Sequence, residues 1–125
     1  MTALLLDTHV FLWWRSDPER LDPAARATIA EAEAVFVSAA TAWEAAIKSA
    51  LGRLRLPDTV RAGVEASGFQ PLPITLVHAE RAGALPPHHR DPFDRMVVAQ
   101  ALEEGLTLAT RDRQLEPYGA TILWA

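Results

Sequence analysis

The chain has 125 residues, half of them apolar, with no cysteine and a formal charge of −4 from 12 Lys+Arg against 16 Asp+Glu. That length suits one domain, residues 1–125, with a single hydrophobic core. The missing cysteines exclude a disulfide framework and thiolate metal sites, and the net charge argues against a broad basic surface for nucleic acid. The apolar run at the start is broken by Asp7 and has no basic region ahead of it, so neither a signal peptide nor a membrane span is expected, and the cytoplasm is the expected location.

Ala3-Leu4-Leu5-Leu6 is apolar without alternation, the pattern of a strand covered on both faces in a parallel sheet. Asp7 falls at its carboxyl end, the edge where open α/β sheets bind ligands, although an aspartate there also caps the following helix. Val10, Phe11, Trp13 and Trp14 make a short, largely covered helix that ends at Asp17-Pro18. Asp22-Pro23 restarts a helix as N-cap and first helical residue, with Ala25, Ile29 and Ala32 as its buried stripe. Val35-Phe36-Val37 reads as a second buried strand.

Ser38 leads into a helix from about Ala39 to Leu51, stopped by Gly52. Its apolar arc comprises Ala39, Trp43, Ala46, Ile47, Ala50 and Leu51, the face expected to be buried, with Glu44 at the edge of the arc. An ordinary pair with Lys48, four positions on, accounts for Glu44 as well as a functional role does. Asp58 is expected to cap a further helix through Val64 that ends near Gly68. Gln70 to Ile74 suits a short edge strand, because Pro71 and Pro73 cannot donate to a central ladder. A weakly amphipathic helix follows from about Leu76 to Leu85. The loop Pro86-Pro87-His88-His89-Arg90 comes next, its histidines expected to be solvated.

Asp91-Pro92-Phe93-Asp94 opens the longest helix, which runs to about Glu104, with Asp91 as N-cap and Pro92 at the first position. Asp94 shares a helix face with Val97, Val98 and Ala101, so its carboxylate is aimed at the covered side, where an unpartnered charge is costly. Thr107-Leu108-Ala109-Thr110 is the next strand, and Asp112 lies just past its end as Asp7 does past the first. Ala120 to Trp124 is the last strand.

The fold class is therefore α/β: a central, mostly parallel sheet of about five strands flanked by helices. In such a sheet Asp7, Glu44, Asp94 and Asp112 can gather on one edge. Two carboxylates about 5 Å apart repel by roughly 3 kcal/mol at an effective dielectric near 20, so four together require cations. Hard oxygen ligands without thiols point to Mg2+ or Mn2+. Such an ion can activate water and brace a displacement at phosphorus, which makes phosphodiester hydrolysis the natural reaction. Bound cations would also let an acidic chain meet a phosphate.

Four segments resemble the PIN domain, and more narrowly the VapC toxins of toxin–antitoxin pairs. They are Leu5-Leu6-Asp7-Thr8-His9 with Trp13-Trp14; Trp43-Glu44-Ala45-Ala46-Ile47-Lys48; Asp91 through Asp94-Arg95 to Ala99-Gln100-Ala101; and Thr110-Arg111-Asp112. The resemblance implies a PIN fold, a Mg2+-dependent endoribonuclease, a homodimer and inhibition by a VapB-type antitoxin lying over the active groove. It also implies that Asp7, Glu44, Asp94 and Asp112 are the metal-binding and catalytic acids, with Thr8 and Thr110 as hydroxyls orienting those carboxylates. His9 follows a subgroup pattern. A catalytically inert PIN-like binding module is the alternative. A receiver-like phosphoacceptor domain fits poorly, because Thr8 stands where a second acid would and no lysine follows Lys48.

Overall fold

In a computed structural model, which describes residues 2–125, five strands form one sheet. They are β1 (Ala3–Leu6), β2 (Ala34–Ser38), β3 (Gln70–Leu72), β4 (Thr107–Thr110) and β5 (Ile122–Trp124). Their spatial order is β3-β2-β1-β4-β5, and all four pairings are parallel. Strand β1 is central: Leu5 stands beside Phe36 of β2 and Leu108 of β4. Leu4, Leu5 and Leu6 are completely buried, which is what an unalternating apolar run requires. Leu4 and Leu6 join one core cluster with Val10, Phe11, Ile29 and Val37, while Leu5 points to the other face among Val97, Val98, Leu108 and Leu115.

Six α-helices connect the strands: α1 (Thr8–Ser16), α2 (Pro23–Glu31), α3 (Ala39–Ala50), α4 (Val60–Ala66), α5 (Leu76–Ala84) and α6 (Pro92–Glu104), with 3-10 turns at Pro18–Arg20 and Arg113–Tyr118. Because β2 lies on one side of β1 and β4 on the other, the chain reverses its direction of travel across the sheet at β1. The crevice above the carboxyl end of β1 is the position such folds offer a ligand.

Most boundaries follow the caps. Asp22 accepts the Ala25 N–H at 3.1 Å, Asp91 accepts those of Phe93 and Asp94 at 2.8 and 3.0 Å, and Gly105 ends α6 with φ of 65°. The cap of α4 is Thr59, whose hydroxyl takes the Ala62 N–H; Asp58 is drawn instead to Arg15, 3.1 Å away. The edge strand β3 stops at Leu72, just before Pro73.

The largest departure from the sequence reading concerns α3. Its apolar arc faces outward: Trp43 is 63% exposed and Leu51 62%, with Ile47 also exposed. The buried face is the small and polar one, Ala40, Thr41, Glu44 and Ala45. The small Ala40, Thr41 and Ala45 let α3 approach α1, β2 and α6 closely, with Glu44 as the long side chain among them, so close approach overrides hydrophobic patterning here.

Candidate active site

Asp7 is set by β1 and α1 together. Its backbone N–H donates to the Ala109 carbonyl of β4 at 3.0 Å. Oδ1 caps α1 by accepting the Val10 N–H at 2.9 Å, and Oδ2 accepts the Thr110 hydroxyl proton. Asp7 thus caps α1, one of the two roles open in the sequence, from the carboxyl end of β1, and it is 4% exposed. Burial raises the Asp7 carboxyl above its ordinary range, against the lowering effect of the Thr110 and Val10 hydrogen bonds.

Glu44, on the inner face of α3, is 5% exposed. Its Oε2 lies 2.9 Å from Lys48 Nζ, and its buried Oε1 has no hydrogen-bond partner among the described residues. Asp94 sits in the first turn of α6, one turn inside the Asp91 cap. Its carboxyl is pushed up to about 7, first by burial and then by the neighbouring charges of Asp91, Asp7 and Glu44, with His89 acting in the opposite direction. Asp112 follows β4; its Oδ1 accepts the Gln114 N–H at 2.9 Å, and its charge in turn raises Asp7. Four acids spread over more than a hundred residues of chain are thus linked by pairwise repulsion, Asp94 with Asp7 and Glu44, and Asp7 with Asp112.

His89 joins them, and sequence reasoning had placed it in solvent. Its Nε2 is 2.9 Å from Asp112 Oδ2 and 3.3 Å from Asp94 Oδ2. The three residues form a group close enough to hold a cation. The Asp91 N–H donates to His89 Nδ1 at 3.0 Å, so in the neutral ring the proton resides on Nε2, facing the acids. The loop is held in place by Arg95, whose guanidinium donates to the carbonyls of Ala82, Leu85, Pro86 and His89. Tyr118 adds a second brace, accepting the His89 N–H and donating to the Pro86 carbonyl, both at 2.9 Å. The available signal was the Pro-Pro pair followed by an arginine in the next helix, a loop of restricted backbone with a donor ready to tie it down.

The two hydroxyls behave differently. Thr110 Oγ1 donates to Asp7 Oδ2 and accepts the Asp112 N–H at 3.1 Å, linking two of the acids. Thr8 Oγ1 instead lies 3.0 Å from Thr41 Oγ1, so it ties α1 to α3 rather than orienting a carboxylate. His9 lies at the mouth of the pocket with its ring 5.9 Å from that of Trp13.

Comparison with known proteins places this geometry. The PIN domain family model matches residues 4–120. Ribonuclease VapC22 of Mycobacterium tuberculosis is 36% identical over 121 residues, covering 94% of this chain and 93% of that one. Among solved structures, VapBC2 from Rickettsia felis bound to a promoter DNA fragment superposes with a TM-score of 0.71 at 11% identity, covering 98% of each chain. A toxin–antitoxin complex from Klebsiella pneumoniae does so with a TM-score of 0.67 at 20% identity, covering 97% of this chain and 96% of that one. The acids at the carboxyl edge of a parallel sheet thus have a family setting: the chain belongs to the PIN domain family, within its VapC branch.

Proposed function

We propose that this chain is the ribonuclease toxin of a type II toxin–antitoxin pair, an endoribonuclease that hydrolyses RNA phosphodiester bonds with Mg2+, or Mn2+ in its place, held by Asp7, Glu44, Asp94 and Asp112. The observation that carries this reading is the frustrated pocket itself: Asp94 is raised to about 7 by burial and neighbouring carboxylates, and Glu44 Oε1 is buried without a donor. A hard divalent cation relieves both conditions, and an all-oxygen donor set without thiols suits it.

When bound, such an ion lowers the pKa of a water and stabilises charge on the phosphate oxygens. The chain's own groups do the rest. Asp7 and Asp94 are the main ligands, and the Thr110 hydroxyl holds Asp7 Oδ2 in orientation. Glu44, anchored to Lys48 through Oε2, presents Oε1 as a ligand or as the acceptor of a proton from the attacking water. Asp112 completes a second or weaker site, steadied by the His89 Nε2–H.

The partners follow from the same reading. The Rickettsia felis VapBC2 and Klebsiella pneumoniae structures are toxin–antitoxin assemblies, which supports a VapB-type antitoxin as the cognate inhibitor. Trp43 and Leu51 on α3, with Leu76 (83% exposed) and Val77 on α5, form apolar surface of the kind monomers seldom expose. Both helices pack on α6, and a second copy of the chain, making a homodimer, is the proposed cover. No helix among the described residues is long and apolar enough to cross a membrane, and the cytoplasm remains the proposed location.

The test is cleavage of total RNA by the purified protein, with Mg2+, with EDTA, and beside the Asp7→Asn variant. Cleavage in Mg2+ alone is expected. A variant that cuts as well as the parent overturns the assignment of Asp7, and a parent that never cuts leaves the inert binding module as the better description.

A further inference from the structure

Beside the acid pocket lies a surface of opposite charge that the chemistry above leaves unused. Its centre is Trp13: the guanidinium carbons of Arg111 and Arg20 stand 4.4 and 5.2 Å from its ring centroid. Further along, Arg113 lies 3.8 Å over the ring of Trp124. Two cavities run through these residues and share Arg111 as a common wall. The first, of about 300 Å³, is lined by Asp7, Asp112, His9 and Trp13 beside Arg111. The second, of about 400 Å³, lies among Arg20, Arg111, Arg113 and Trp124. The acid pocket and an arginine-lined trough therefore lie side by side, with Arg111 between them.

The charge of that trough is not spent internally. Arg15 and Arg81 have carboxylate partners at 3.1 and 2.7 Å, whereas Arg20 and Arg113 have no Asp or Glu side chain within 4.0 Å among the described residues, and Arg111 is engaged only by backbone oxygens, those of Arg20 and Ala125. Asp22, which lines the second cavity, has its Oδ2 turned onto the Ala25 N–H. In a chain of net charge −4, the second cavity gathers three guanidiniums against the single carboxylate side chain of Asp22. Arg111 is also held in advance: its Nη2 donates to the Arg20 carbonyl and, at 2.8 Å, to that of Ala125, leaving Nε and Nη1 without an acceptor among the described residues.

We infer that this trough carries the sugar–phosphate backbone of single-stranded RNA as it leaves the acid pocket, with the scissile phosphate beside Asp7 and Asp112 and the following phosphates on Arg111, Arg20 and Arg113. The inference rests on the ribonuclease reading. Planar guanidinium forks match phosphate oxygens, and stacking on tryptophan fixes their planes before the ligand arrives. A cationic groove with interleaved aromatic rings is also the arrangement by which proteins hold single strands without reading their sequence.

Arg20→Gln and Arg113→Gln, singly and together, test it, since both side chains are exposed and no hydrogen bond from either is needed by the fold. Binding of a fluorescein-labelled single-stranded RNA of mixed sequence is followed by anisotropy across a salt series, in the Asp7→Asn background so that the strand stays whole. The plot of log K against log salt should flatten by about 0.7 for each phosphate contact removed, whatever the RNA sequence. In the parental background the loss should appear in KM rather than in kcat. A double variant with parental affinity and slope, in a protein that still cuts RNA, overturns the trough and leaves the nuclease reading standing. A double variant that shows the slope change, in a protein whose parent never cuts, supports the trough and removes the nuclease reading. A poly-glutamate peptide that displaces the RNA, and loses its own binding in the same variants, assigns the trough to an acidic protein segment and overturns the inference.

Discussion

Two histidine–carboxylate clusters in this molecule make a useful contrast. Around His78, between α5 and α6, one imidazole meets one carboxylate: Nε2 lies 2.9 Å from Glu104 Oε2, and Nδ1 accepts the Thr75 N–H at 3.1 Å. Around His89, one imidazole of the same tautomer faces Asp94 and Asp112, with Asp7 and Glu44 close behind. The first cluster is balanced and stabilises a helix start through the Thr75 capping box. The second carries more negative charge than its own donors can offset. The difference teaches that burial of polar groups does not by itself mark a site; unmatched charge held in place does.

The contrast can be broken most forcefully at Asp94. Asp94→Asn should lower RNA cleavage by well over 100-fold, beyond the roughly 10–100-fold typical of residues one step removed from a metal, while the cation-free protein keeps its fold by circular dichroism. Next in size is His89→Ala, expected to weaken Mn2+ binding by about 10–100-fold in calorimetry. His78→Ala should do the reverse of both, costing about 1–3 kcal/mol in denaturant unfolding through the orphaned partners it leaves, with RNA cleavage at the parental rate. If His78→Ala abolished cleavage, the division between a structural and a chemical cluster would fail.

An effect of similar size is a pH dependence whose sign follows from Asp94. Its folded-state carboxyl stands near 7 against an ordinary 3.8, so between those values the folded protein binds more protons than the unfolded chain. Stability from this group is full below about pH 4 and is lost as pH rises through 7. The difference in Tm between cation-free parent and Asp94→Asn should therefore shift against the parent from pH 5 to pH 8, and saturating Mg2+ should abolish that trend.

Much of this was legible in the letters. Strands without alternation, each followed by an acid, placed Asp7 and Asp112 at the carboxyl edge of the sheet, and the helical wheel aimed Asp94 inward. Two things were not legible. The orientation of α3 was inverted, because hydrophobic periodicity identifies an apolar face without saying whether this chain or another molecule covers it. His89 was assigned to solvent, because its position depends on Arg95 reaching four carbonyls and on Tyr118, contacts that span up to 32 residues and leave no local period. Thr8 differs from what the resemblance implied, an orienting hydroxyl at a carboxylate, because the helix turns its hydroxyl to Thr41.

The Arg95 brace has a further consequence. On the metal-dependent reading proposed above, a loop tied by one guanidinium at the Leu85, Pro86 and His89 carbonyls and anchored to Ala82 of α5 would keep its curvature with or without the ion, so that capturing the cation would resemble dropping a key into a cut lock rather than folding a finger around it. Chelation would then silence the protein without melting it, and activity would return as fast as the ion diffuses back.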